Sequence, residues 1–158
     1  MVRTVKKAEE RKQEIVEAAK RLFNSKGYDA TSMQDVMEDL GIAKGTIYHY
    51  FKSKDQLLQA VVEFIVDAEI EKKKALLLET HGTALERFKV LIAAGSAADR
   101  EQEVLQELHN ANNTGMHIRL LAATLVKEAE LYAGLIQQGC DEGIFHTDSP
   151  LECAEFIL

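Results

Sequence analysis

A single proline, nine glycines and no tryptophan leave this 158-residue chain few places to break a helix. They also leave little of the turn chemistry that a sheet of short strands requires. Two cysteines, Cys140 and Cys153, are too few for a disulfide framework. They are expected as small apolar side chains in a reduced, cytoplasmic protein. The longest apolar run, Leu120 to Val126 with Thr124 inside it, falls far short of a bilayer, so no membrane partner is expected. The basic start, Met1 to Lys7, has no apolar stretch behind it, so no secretory signal is expected. There is no Gly-rich phosphate loop, no His-Glu-x-x-His pattern and no nucleophile elbow, so an enzyme reading finds little support. His109 and His117 are eight residues apart, which is not a metal-ligand spacing on one helix face; neither a metal nor a cofactor is expected.

What is present is ordinary for a globular protein: 46% hydrophobic and 28% charged residues, which excludes disorder throughout. The net charge of −7 argues against a nucleic-acid partner as long as it is spread evenly. It is not. Residues 1–54 hold 11 Lys and Arg against 8 Asp and Glu, a balance of +3, while residues 55–158 hold 8 against 18, a balance of −10. An acidic average therefore conceals a mildly basic first third.

The helical pattern begins after a short basic arm at residues 1–7. Ile15, Ala18, Ala19, Leu22 and Phe23 recur at helical spacing and predict a helix over Ala8–Lys26, ended by Gly27. Thr31 and Gln34 are spaced as a capping box for a short helix with Met33, Val36, Met37 and Leu40 inward and Gly41 at its end. Three residues later another short run starts, Lys44 to Phe51. Two helices joined by so tight a glycine-containing turn cross steeply, which is a helix-turn-helix. Ser53 and Gln56 form a second box and open a long helix with Leu57, Leu58, Val61, Val62, Ile65 and Val66 on its apolar face. Its charged stretch Glu69–Lys74 alternates acid and base. Further helices are expected at Thr83–Ala98, Arg100–Asn110 and Met116–Gln138, the last bracketed by Gly139 and Gly143. Ser149, Pro150 and Glu152 then announce one more helix, with serine as cap and proline at the first position. Its apolar end at Phe156-Ile157-Leu158 reads as a helix that continues in a longer chain, or else as a short terminal helix docked on the core.

The stretch Gly27-Tyr28-Asp29-Ala30-Thr31-Ser32, Val36 to Ile42, Lys44-Gly45-Thr46-Ile47-Tyr48-His49-Tyr50-Phe51 and Lys52-Ser53-Lys54-Asp55-Gln56-Leu57-Leu58 resembles the DNA-binding motif of the TetR family of transcriptional regulators. The resemblance implies an all-α protein: a three-helix helix-turn-helix domain over 1–52, then a helical ligand-binding and dimerisation domain over 53–158. It also implies a homodimeric, ligand-responsive repressor of double-stranded palindromic operator DNA in the bacterial cytoplasm. Two positions depart from the family pattern. Ala43 stands where serine usually opens the recognition helix, and Met37 where alanine usually packs.

Helix periodicity divides the aromatic run. Ile47, Tyr50 and Phe51 fall inward, whereas Tyr48 and His49 face out with Lys44, Gly45 and Thr46 at the end that meets base edges. Lys54 at a positive helix end, with Thr31 and Ser32 across the groove, is expected to grip phosphates. For an effector the candidates are Asn113, Met116 and His117, from a polar patch beside apolar helices that reads more readily as an ordinary loop, and His109, which could point inward. Glu128, Glu130 and Tyr132 read either as a cation cavity or as helix surface. Besides a regulator, a helical adaptor with a degenerate helix-turn-helix stays open.

Overall fold

The computed structural model describes residues 8–98 and 114–158, and among the described residues every regular element is a helix. They are α1 (Ala8–Lys26), α2 (Met33–Leu40), α3 (Lys44–Tyr50), α4 (Lys54–Glu79), α5 (Ala84–Ala98), α6 (Thr114–Asp141) and α7 (Pro150–Ile157). The basic arm and the helix expected at Arg100–Asn110 lie outside the described residues. Two compact units divide the chain: a head of residues up to Phe64 with the start of α6 to Arg119, and a body from Ile65 with the rest of α6 and α7.

The head is built on α1, whose Ile15, Val16, Ala18, Ala19 and Phe23 are buried. Gly27 ends it at φ 87°, where a residue with a Cβ would be strained, and its amide closes on the Phe23 carbonyl at 3.0 Å. The cap of α2 differs from the expected one. Thr31 is 1% exposed, and its hydroxyl donates to the carbonyls of Gly27 at 2.8 Å and Leu22 at 3.3 Å. With that oxygen turned inward, the cap passes to Ser32, which accepts from the Asp35 amide while the Asp35 carboxylate accepts from the Ser32 amide. Gln34, the expected box partner, instead donates to Glu38 along the helix.

Gly41 at φ 61° terminates α2, and the Ile42 amide returns to the Met37 carbonyl at 3.0 Å. Three residues later α3 starts with Ala43 as its cap and no side-chain bond there, as the missing serine implies. α4 is opened by Ser53, which accepts from the Gln56 amide; Gln56 completes the loop on the Lys52 amide, not on Ser53 itself. The first three turns of α4 carry Leu57, Leu58, Val61 and Val62, none more than 1% exposed, so the head takes in this part of the long helix.

In the body, Leu77, Leu91, Ala129, Tyr132, Leu135, Ile136 and Ala154 form one apolar cluster from α4, α5, α6 and α7. The charged stretch of α4 makes the i,i+3 pairs Glu69–Lys72 and Glu71–Lys74, while Lys73 turns to Glu128 of α6. α6 runs to Asp141, past the expected stop at Gly139. Gly139 is buried within the helix against the ring of Phe145, which a Cβ there would strike, and Gly143 at φ 73° makes the turn. α7 begins with Pro150 at its first position as expected, but the Ser149 hydroxyl makes no capping bond.

Candidate nucleic-acid interface

α2 and α3 are the two helices of the helix-turn-helix, and α3 presents its first turn to solvent. Lys44, Gly45 and His49 are exposed and Thr46 and Tyr48 half-buried, while Ile47 beneath them is 0% exposed and Phe51 4%. The division of the aromatic run follows the expected periodicity with one exception. Tyr50 is half-buried instead of sealed in the core, and its ring meets that of His49 edge-on at 5.0 Å. The Lys44 ammonium lies 5.7 Å from the centroid of the Tyr48 ring one turn on. This contact orders a long cation over an aromatic face at an exposed site, where it contributes about 0.5–1 kcal/mol. Nothing within 4 Å would obstruct a Cβ at Gly45, so what glycine provides there is a bare backbone facing outward.

Two of the residues expected to touch phosphate have other work. Thr31 is buried with its hydroxyl committed to backbone carbonyls, so it positions the loop and has no surface to offer a ligand. Lys54 donates to the carbonyls of Tyr28 (2.9 Å), Thr31 (3.0 Å) and Asp29 (3.4 Å), and its ammonium sits 4.2 Å from the centroid of the Tyr28 ring. An ammonium has three protons to donate, and here all three have acceptors. Lys54 therefore ties the α1–α2 loop to the start of α4. Ser32 remains exposed at the N-terminus of α2.

What periodicity did not reveal is how α2 is held to α1. Lys26 pairs with Asp35 at 2.6 Å and Arg21 with Asp39 at 2.9 Å, so both ends of α2 are bound to α1 by charge. The Lys26 ammonium, followed by the Ser32 hydroxyl and amide, holds the Asp35 carboxyl well below the usual carboxylate range. Only the acid and base counts of the first third hinted at these pairs, since their partners are 9 and 18 residues apart.

The effector candidates separate. His109 and Asn113 lie outside the described residues. Met116 is 0% exposed and His117 half-buried, both in the part of α6 that belongs to the head. Glu128 is taken by Lys73, and Tyr132 is core, its phenol pushed up by burial first and then by Glu128. The body instead holds an open cavity of about 550 Å³, lined by Leu85, Phe88 and Ile92 of α5, Ile136 of α6, and Ile144 and Phe145 of the following turn. Lys89, His146, Thr147 and Cys153 are its polar members. Leu85, Phe88, Lys89 and Ile92 share one face of α5, but the rest of the lining comes from α6, α7 and the turn between them, which the sequence does not bring together.

Comparison with known proteins places both parts of the chain. A family model described as bacterial regulatory proteins, tetR family, matches residues 15–61. A second, described as a tetracyclin repressor-like C-terminal domain, matches residues 96–158. The HTH-type transcriptional regulator YfiR of Bacillus subtilis is 28% identical, over 95% of this chain and 76% of that protein. The HTH-type transcriptional repressor KstR2 of Mycolicibacterium smegmatis is 25% identical, over 87% of this chain and 69% of its own length. Among solved structures, a TetR-family regulator from Syntrophomonas wolfei superposes with a TM-score of 0.71 at 25% identity, covering 96% of this chain and 79% of that one.

Proposed function

The chain belongs to the TetR family of bacterial regulatory proteins and is a DNA-binding transcriptional regulator, and from that premise we propose that it is an effector-responsive repressor binding a palindromic operator as a homodimer. The observation that carries the reading is the α2–α3 unit itself: a short α3 with Lys44, Gly45 and His49 exposed above a sealed Ile47. Lys44, Thr46 and Tyr48 read bases in the major groove, and His49 and Ser32 contact phosphates. Thr31 and Lys54 support these contacts from behind.

Pairing of two chains is supported by apolar side chains that α7 leaves open, Phe156 at 91% exposure and Leu151 at 47%. The effector is a mainly apolar molecule of the size that the body cavity admits. An effector releases DNA only by binding the non-reading arrangement more tightly than the reading one. A regulator of this kind acts in the cytoplasm, where its operator is.

The test is an anisotropy titration of a labelled duplex carrying the region upstream of the protein's own gene, repeated from 50 to 300 mM salt. Phosphate contacts release counterions, so affinity is expected to fall steeply and linearly on a log–log plot. Tyr48→Ala is expected to weaken binding while leaving helix content and dimer mass unchanged. A flat salt response sinks the reading and returns the field to a helical adaptor.

A further inference from the structure

A chain of contacts behind the recognition helix joins α6 to the N-terminus of α2. Arg119, near the start of α6, holds Asp55 in the first turn of α4 at 2.6 Å. Next to Asp55, Lys54 reaches the carbonyls of Tyr28, Asp29 and Thr31 and lies over the Tyr28 ring. Tyr28 packs edge-on against the buried Phe23, with centroids 5.2 Å apart. Its phenol is pushed up by burial first and by Asp55 second, and drawn down by Arg119, so the ring stands in the field of both members of the ion pair. The last carbonyl held by Lys54 belongs to Thr31, one peptide before Ser32, the cap of α2. Met116, one turn before Arg119, is 0% exposed, so the start of α6 is fixed in the head by packing as well as by charge.

We propose that Arg119 is a positioning residue of the DNA-reading head, acting through Asp55 and the Lys54-held loop to set where the N-terminus of α2 meets a phosphate. The inference rests on the DNA-binding reading above. It gives the start of α6 a role that neither the helix-turn-helix nor the effector cavity contains. An exposed ion pair of this kind is a weak bond, so the expected effects on binding are modest.

The test uses the full chain with Arg119→Gln, Asp55→Asn, both together, and the exchange Asp55→Arg with Arg119→Asp. Binding to the labelled upstream duplex is read by anisotropy, and the Tyr28 phenol is titrated by NMR of ring-labelled tyrosine. Each single variant is expected to weaken binding about two- to fivefold. The double variant is expected to be no weaker than either single one, and the exchange to recover at least half of the loss. Arg119→Gln is expected to raise the Tyr28 phenol further and Asp55→Asn to lower it. The direction for Asp55→Asn is decisive. Removing a negative charge strengthens DNA binding when only long-range electrostatics act, so a tighter Asp55→Asn variant overturns the proposal, as do additive losses. Unchanged binding in all four variants, with the wild-type chain bound, overturns the positioning role alone. A wild-type chain that leaves the duplex free overturns the DNA reading and this inference together. Tyr28 titrations that respond to neither substitution overturn the ion pair itself.

Discussion

In the head, the stops and starts of α1, α2 and α3 are written within a few residues of each helix end. Gly27 and Gly41 turn the chain at positive φ, and Ser32 with Asp35 caps α2 across three residues. The far corner of the body is closed differently. The Ala84 amide donates to Glu142, 58 residues on, Arg87 reaches Gln138 and the Leu77 carbonyl, and Gln138 returns to the Gly82 carbonyl. Phe145 lies over Gly139, and Phe88 meets both Phe145 and Tyr132. Local closure makes a unit legible and quick to form, whereas distant closure requires widely separated segments to meet first. The same contrast separates a surface whose parts follow one local motif from a cavity whose lining joins a face of α5 to distant parts of the chain.

The largest effects come from the two cores. Phe23→Ala in the head is expected to cost about 3–5 kcal/mol and Leu91→Ala in the body about 2–5 kcal/mol, both by cavity formation. Urea unfolding followed by circular dichroism reads both costs. A loss below 1 kcal/mol at either site means that its side chain is not enclosed as its 0–1% exposure implies. Gly139→Ala is next. Its Cβ would collide with the ring of Phe145, so a loss of about 1–3 kcal/mol is expected, reduced when Phe145→Leu is added. The head offers no counterpart at Gly45, where a Cβ meets nothing within 4 Å. There Gly45→Ala is expected to raise stability by up to about 1 kcal/mol, and its functional effect is read by DNA affinity instead.

Legibility followed this division. The bounds of α1, the two glycine stops, the inward Ile47 and Phe51 and the uncapped Ala43 were all readable, because periodicity and cap chemistry act over one turn. The α2 cap was placed one residue early. Thr31 and Ser32 are both good caps by type, and only packing shows that the Thr31 hydroxyl turns to Gly27 and Leu22. Lys54 poses a related problem. A lysine at a helix start reads as a phosphate ligand until three backbone carbonyls from a loop more than 20 residues away are seen around it. Gly139 read as a helix end, since nothing local signals that a distant ring needs its space.

Cap substitutions sharpen the contrast at lower energy. Ser32→Ala is expected to cost about 1 kcal/mol, because the Asp35 amide loses its acceptor. Ala43→Ser is expected to gain up to about 1 kcal/mol by supplying the oxygen that α3 lacks. Thermal midpoints of the two variants should therefore move in opposite directions. A Ser149→Ala midpoint should stay at the wild-type value, since that hydroxyl caps nothing.

The smallest effect is a pH slope, and it compares one box in each unit. Asp35 accepts from the Lys26 ammonium, the Ser32 hydroxyl and the Ser32 amide, while Glu86 in the body accepts from the amide and hydroxyl of Thr83. In both, these bonds favour the ionised carboxylate and lower its proton affinity in the folded state. A folded value below the unfolded one, about 4 for these groups, means that the stabilisation is fully present above that pH. It is lost as pH falls toward the folded value, because the folded chain then takes up a proton against those bonds. Both side chains are near the surface, so each contribution is small and weakened by salt. Thermal midpoints measured from pH 6 to pH 2 should fall less steeply in Asp35→Asn and in Glu86→Gln than in the wild type. The Lys26 ammonium belongs only to the head box, so raising the salt should flatten the Asp35 contribution more than that of Glu86. Equal salt sensitivity would mean that Lys26 does not hold Asp35, and that the serine cap alone sets the N-terminus of α2.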